Sequence, residues 1–129
     1  VTPRRLLLVF VGGTVGTAGR LALGLWMPDA GGLPLATFAV NVVGAFLIGL
    51  LAARMPQTTD LRVLLGTGVL GGFTTYSAFT TGTVELWSAE PVLGAVYAAG
   101  SLVLGLAAAA LGLRVGRPLD SSSGPEPAR

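Results

Sequence analysis

The sequence predicts an all-α integral membrane protein with four transmembrane helices, the third broken near its middle. Three observations carry that prediction. Of 129 residues, 52% are hydrophobic and only 11% charged, against about 25% charged in soluble domains, and mean hydropathy is +0.76. Four apolar stretches are each long enough to cross about 30 Å of hydrocarbon, which takes about 20 helical residues. Inside the third stretch, Gly71-Gly72-Phe73-Thr74-Thr75-Tyr76-Ser77-Ala78-Phe79 sets a glycine pair before a run of hydroxyls and aromatics. Broken backbone at that depth is tolerated only inside protein or along a polar path, because lipid offers it no partner.

The first span runs from about Leu6 to Trp26, behind Arg4-Arg5 and with Arg20 near its far end. Its start looks like the basic and apolar regions of a signal peptide, but the apolar stretch is too long and three more follow, so it is expected to stay as a span. The second, about Leu33 to Ala53, and the fourth, about Pro91 to Leu113, carry no charge. The third, about Leu61 to Trp87, has Arg62 at its start and Glu85 near its end. Gly31-Gly32, Met55 to Thr59 and Ser88 to Pro91 punctuate the joins. Residues 1–116 form the membrane domain. Residues 117–129, rich in Ser and Pro, are expected to be a disordered cytoplasmic tail.

Four spans put both termini and the central loop on one side. That side holds Arg4, Arg5, Arg54, Arg62, Arg114 and Arg117, while the other has Arg20 beside Asp29, Glu85 and Glu90. The positive-inside rule places the arginine-rich side, and both termini, in the cytoplasm of a multi-pass cell-membrane protein. The chain has no Cys, no His and no Lys, which removes disulfides, thiolate chemistry and imidazole sites. No nucleophile–base set can be assembled, so an enzyme is not expected. A net charge of +2, tied to membrane flanks, gives nucleic acid nothing to bind.

The polar residues within the spans are the candidates for function. The pairs Gly12/Gly16, Gly68/Gly72 and Gly112/Gly116, with Ser101/Gly105, have the small-xxx-small spacing that lets helices approach closely. Asn41 shares a helix face with Thr37 and Gly44; its amide is either an interhelical hydrogen bond or a donor lining a path. Tyr97 and Ser101 fall on one face, where the plainer reading is a serine bonded to its own helix and an interfacial tyrosine. Arg20 is an end-of-span anchor or an anion-attracting vestibule. In the third span, carbonyls freed near the glycine pair offer oxygens to a hard cation such as Na⁺. Tyr76 and Phe79 share a face whose ring edges are positive, and Thr75, Ser77 and Thr80 add hydroxyl donors.

With these residues in place, the chain resembles the Fluc (CrcB) fluoride channel family over all four spans, though not the tail. Gly12-Gly13 to Arg20 resembles that family's first-span pattern, and Asn41-Val42-Val43-Gly44 its second-span motif. The string from Gly71 to Phe79 resembles its third-span break, and Tyr97 with Ser101 its fourth-span pair. The resemblance implies small subunits paired antiparallel, two fluoride pathways and one structural Na⁺ at the dimer centre, held by backbone carbonyls. It maps those carbonyls onto Gly71 and Thr74, with a register one residue on, Gly72 and Thr75, left open. It maps the pore onto Asn41, Tyr76, Phe79, Ser77, Thr80, Tyr97 and Ser101, and a vestibule arginine onto Arg20. Tyr76 stands where phenylalanine is commoner in the family. Gly105 and Ala109 stand where further hydroxyls are usual.

The expected function is therefore a passive, fluoride-selective channel in the lipid bilayer. The arginine bias adds an expectation about assembly. A chain that pairs antiparallel with itself must insert both ways, which needs a bias near zero, so a homologous subunit of opposite orientation is favoured over a homodimer. Two other readings stay open. A small proton-coupled multidrug exporter needs an intramembrane carboxylate, for which Glu85 is the sole candidate; a non-transporting scaffold subunit would pass no ion with any partner.

Overall fold

The computed structural model describes residues 1–118. The expected tail lies outside the described residues apart from Arg117 and Pro118. Three long helices cross: α1 (Pro3–Trp26), α2 (Leu35–Arg54) and α6 (Pro91–Gly116). The third crossing is built from pieces: α3 (Asp60–Arg62), a π-helical segment (Val63–Leu70), α4 (Gly71–Phe73) and α5 (Tyr76–Ala89). The fold is thus all-α, with four spans and a break in the third. The π segment is not announced by its sequence.

Local chemistry sets the ends. Thr2 caps α1, its hydroxyl accepting from Arg5 N at 3.3 Å, with Pro3 in the first turn, where its missing N–H costs nothing. Thr59 caps α3 in the same way, accepting from Arg62 N at 3.3 Å. Between α1 and α2, Ala30 and Leu33 exchange both backbone bonds, at 3.2 and 3.0 Å. The two residues they enclose, Gly31 and Gly32, have φ of +60° and +84°, a conformation glycine adopts without penalty.

Packing does not follow chain order. α1 lies chiefly on the first half of the third span, and α2 chiefly on α6. Glycines make both approaches close. A Cβ on Gly12 would fall 2.9 Å from Gly68 Cα, one on Gly16 would overlap the Val69 carbonyl, and one on Gly72 the Gly13 carbonyl. Along α2 and α6, Gly49 meets the Ala109 carbonyl and Gly112 the Phe46 carbonyl. The expected small-residue pairs are therefore at interfaces, except that Gly105 has nothing within 4 Å. Few large side chains are buried; Val40 is fully enclosed, Leu70, Leu86 and Tyr97 nearly so, and most other large apolar residues face outward, as lipid allows.

The break itself is displaced from where the glycines suggest. Gly71 and Gly72 stay helical, and extended backbone begins at Thr74 (φ −78°, ψ 155°) and Thr75 (φ −147°, ψ 115°). The glycine pair serves the contact with α1, while the threonines end one half-helix and start the next.

Candidate functional site

At the break, each threonine closes one helix end. Thr74 N and Thr74 Oγ1 both donate to the Leu70 carbonyl, each at 2.9 Å, completing the last turn of α4. Thr75 Oγ1 accepts from Ala78 N at 3.2 Å, capping α5. Gly44 on α2 leaves room for the Thr74 methyl; a Cβ there would overlap Thr74 Cγ2.

Asn41 then holds the extended residue from both sides. Its Nδ2 donates to the Thr75 carbonyl at 2.9 Å, and its Oδ1 accepts from Thr75 N at 2.8 Å. That pairing replaces the ladder bonds that the break removes, and it orients the amide unambiguously. Across the break, the Gly72 carbonyl accepts from Thr17 Oγ1 at 3.4 Å and from Arg20 Nε at 3.3 Å. Arg20 is accordingly pinned to backbone, not simply turned toward the membrane surface.

These bonds leave two carbonyls open. The ladder partner of the Gly71 carbonyl would be Thr75 N, which Asn41 takes, and that of the Thr74 carbonyl would be Ala78 N, which Thr75 Oγ1 takes. Among the described residues, no hydrogen bond reaches either oxygen. Both carbonyls of the alternative register, Gly72 and Thr75, are already engaged.

Beside the break, Asn41, Thr74, Thr75, Tyr76, Phe79 and Ser101, with Leu102 and Gly105, line a groove of about 290 Å³ open along one side. Ser101 Oγ is buried there without a hydrogen-bond partner, so it is not bonded back to its own helix. The Phe79 ring stands between Tyr76, at a centroid distance of 6.2 Å, and Tyr97, at 5.7 Å. Tyr76 is 81% exposed on the open side. The groove thus gathers Ser101, whose buried hydroxyl is unspent, the Asn41 amide and an aromatic ring, with no charged residue among those lining it. Its chemistry suits a small anion that sheds water.

Not every residue expected on that path lines it. Tyr97, 5% exposed, lines a separate apolar groove with Leu33, Pro34 and Phe38, its hydroxyl also unpartnered. Thr80 Oγ1 donates back to the Tyr76 carbonyl at 2.9 Å, and Ser77 Oγ pairs with Thr75 Oγ1 at 3.3 Å; neither borders the groove. Arg20 lies in another crevice with Thr37 and Ala78, which Thr75 also borders. Missed from sequence was Arg62, which donates to the Leu51 carbonyl at 3.1 Å and the Met55 carbonyl at 2.9 Å, closing the end of α2. Nothing but its place at the start of the third span was visible beforehand.

Residues 7–113 match the family described as CrcB-like protein, Camphor Resistance (CrcB). The chain belongs to the CrcB family. Among similar CrcB relatives is a protein named fluoride-specific ion channel FluC 2 of Leifsonia xyli subsp. xyli, 43% identical over 94% of this chain and 89% of the relative. Fluoride-specific ion channel FluC of Agrobacterium fabrum is 44% identical over 87% of this chain and 95% of its own length. The protein of the same name from Oceanobacillus iheyensis is 38% identical over 87% and 91%. The matched CrcB region covers most of α1 and α6 and all of the crossings between them, and with them the break, the Asn41 clamp and the groove.

Proposed function

We propose that this chain is a subunit of a passive fluoride channel of the cell membrane. The observation that carries the reading is the groove at the break, lined together by Asn41, Phe79 and Ser101, whose buried hydroxyl has no partner. The similar relatives are named fluoride-specific channels, which fits that lining. Fluoride is small and strongly hydrated, so a dry path must replace its water with hydrogen-bond donors and positive ring edges. A fixed cation in the walls would hold the ion too tightly to let it leave. Fluoride enters cells as its neutral acid and ionises in the more alkaline cytoplasm, so a leak for the anion alone drains it. No carboxylate borders the groove, which favours a channel over a proton-coupled exporter.

Both termini are read as cytoplasmic from the arginine distribution. One wall of the groove is missing from the single chain, and the exposed Tyr76 ring stands at that opening. An antiparallel neighbour would supply the missing wall. The arginine bias favours a homologous subunit inserted the other way over a second copy. The open carbonyls of Gly71 and Thr74 fit a structural Na⁺ shared with that neighbour, since a hard cation takes oxygen ligands. Bound there, Na⁺ would supply a fixed positive charge joining the two breaks.

The test is fluoride efflux from liposomes, read with an electrode beside a chloride control, for the chain alone and co-expressed with an oppositely biased homologue. Fluoride-selective flux only with the homologue is the expected result, and flux from the chain alone would replace the heterodimer by a homodimer. Flux with neither would favour a scaffold subunit. Exchanging Na⁺ for K⁺ on both sides should abolish flux; unchanged flux would remove the cation from the proposal.

A further inference from the structure

A second groove, on the other side of α2, has no part in this reading. Leu47, Leu50, Leu51 and Arg54 recur at the spacing of one helix face and, with Leu65 and Val69 of the π segment, enclose about 340 Å³. The four α2 positions that line it average about 130° around the helix from Asn41, so the two grooves open on different faces. Completing the Asn41 groove with a neighbour does not by itself cover this one.

The groove is apolar along its length and cationic at its end. Arg54 is exposed and makes no hydrogen bond or ion pair among the described residues. The other arginines of the central loop region are engaged. Arg4 pairs with Asp60 at 2.9 Å, Arg5 donates to the Thr58 carbonyl at 3.1 Å, and Arg62 closes α2. Asp60, the sole carboxylate at that end among the described residues, is thus already neutralised. Arg117 adds a second cation nearby, because it follows Gly116, which packs on Ala53 and Leu50.

We propose that this groove binds one anionic phospholipid, with an acyl chain between Leu47, Leu50 and Val69 and its phosphate at Arg54. The eight residues from Leu47 to Arg54 span about 10 Å, enough to seat the upper part of a chain against apolar walls. An unpaired guanidinium where the groove meets the headgroup layer matches a phosphate in charge and hydrogen-bond geometry. A zwitterionic lipid would bring its own cation toward Arg54 and Arg117, which selects for a lipid with net negative charge.

The experiment uses the full chain in micelles containing equal phosphatidylglycerol and phosphatidylcholine, with retained lipid counted by native mass spectrometry. One retained phosphatidylglycerol in clear excess over phosphatidylcholine is expected. Arg54→Gln should lower that preference about fivefold, as for loss of one arginine near a lipid surface. Leu47→Trp fills the groove while keeping Arg54, and should lower retention comparably. Equal retention of the two lipids, or a preference that survives both variants, overturns the proposal. So does displacement by an equal concentration of glycerol phosphate, which would indicate a bare anion site. If Leu47→Trp instead breaks up a subunit pair, the groove is a protein interface and the lipid assignment fails.

Discussion

Replacing Asn41 by leucine separates two roles that share one side chain. The amide makes two bonds to Thr75, at 2.9 and 2.8 Å, and these hold the second of the two extended residues between α4 and α5. Interhelical hydrogen bonds in membranes average about 0.6 kcal/mol and reach about 1.7. Two average bonds make the loss about 1.2 kcal/mol, and two of the strongest make it about 3.4 kcal/mol. At 1.4 kcal/mol per tenfold, local opening at Thr75 becomes roughly 7 to 300 times more frequent. Amide hydrogen exchange at Thr75 reads that change directly, because its N–H is the one released. The predicted result for Asn41→Leu is accelerated exchange at Thr75, with amides in the middle of α6 unaffected and fluoride flux lost. Flux lost while Thr75 exchange stays within about twofold of the native rate would refute the clamp and leave Asn41 as a path donor only.

Other substitutions probe the remaining contacts. Gly16→Ala drives a methyl into the Val69 carbonyl, and should destabilise the fold in micelles by about 1–3 kcal/mol, the usual cost of overpacking; unchanged unfolding would mean that α1 can shift freely. Thr75→Val removes the cap of α5 but not the backbone groups that Asn41 holds, so a loss of about 1 kcal/mol is expected, again by unfolding in micelles. Arg62→Gln releases the Leu51 and Met55 carbonyls, and faster amide exchange confined to Met55 and the adjoining end of α2 is the predicted signature. Phe79→Ile keeps the groove wall apolar but removes the ring edge, and should lower fluoride efflux at least about tenfold while the protein stays folded. Undiminished efflux would remove the ring from the mechanism.

The spans were legible because hydropathy over about 20 residues is a bulk property that tertiary detail does not alter. Predicted and observed ends differ by a few residues, as for α2, expected from Leu33 and found from Leu35. The break was legible as a place and not as a geometry. Glycine pairs read as helix breakers by local propensity, yet Gly71 and Gly72 remain helical because Gly72 must lie against the Gly13 carbonyl, and no local rule encodes a neighbour. Val63 to Leu70 read as an ordinary apolar run, and nothing in side-chain character distinguishes a π turn from an α turn there. The groove was legible at Asn41, Phe79 and Ser101, whose types are unusual in a span. Tyr97 misled because its spacing from Ser101 shows a shared face, while the direction of a long ring depends on Phe79 beside it.

The order of packing also bears on how the chain is made. As each span leaves the ribosome, α1 meets α2 first, yet its principal contacts are with the third span, and those of α2 are with α6, the last to appear. Neither early helix can dock on its proper neighbour until two more crossings have been threaded or begun. A nascent chain stalled after α5 would therefore hold α1 against the third span and leave the face of α2 around Phe46, Gly49 and Leu50 bare in lipid. Quality control that recognises such a face would act on unfinished or truncated subunits and pass over complete ones.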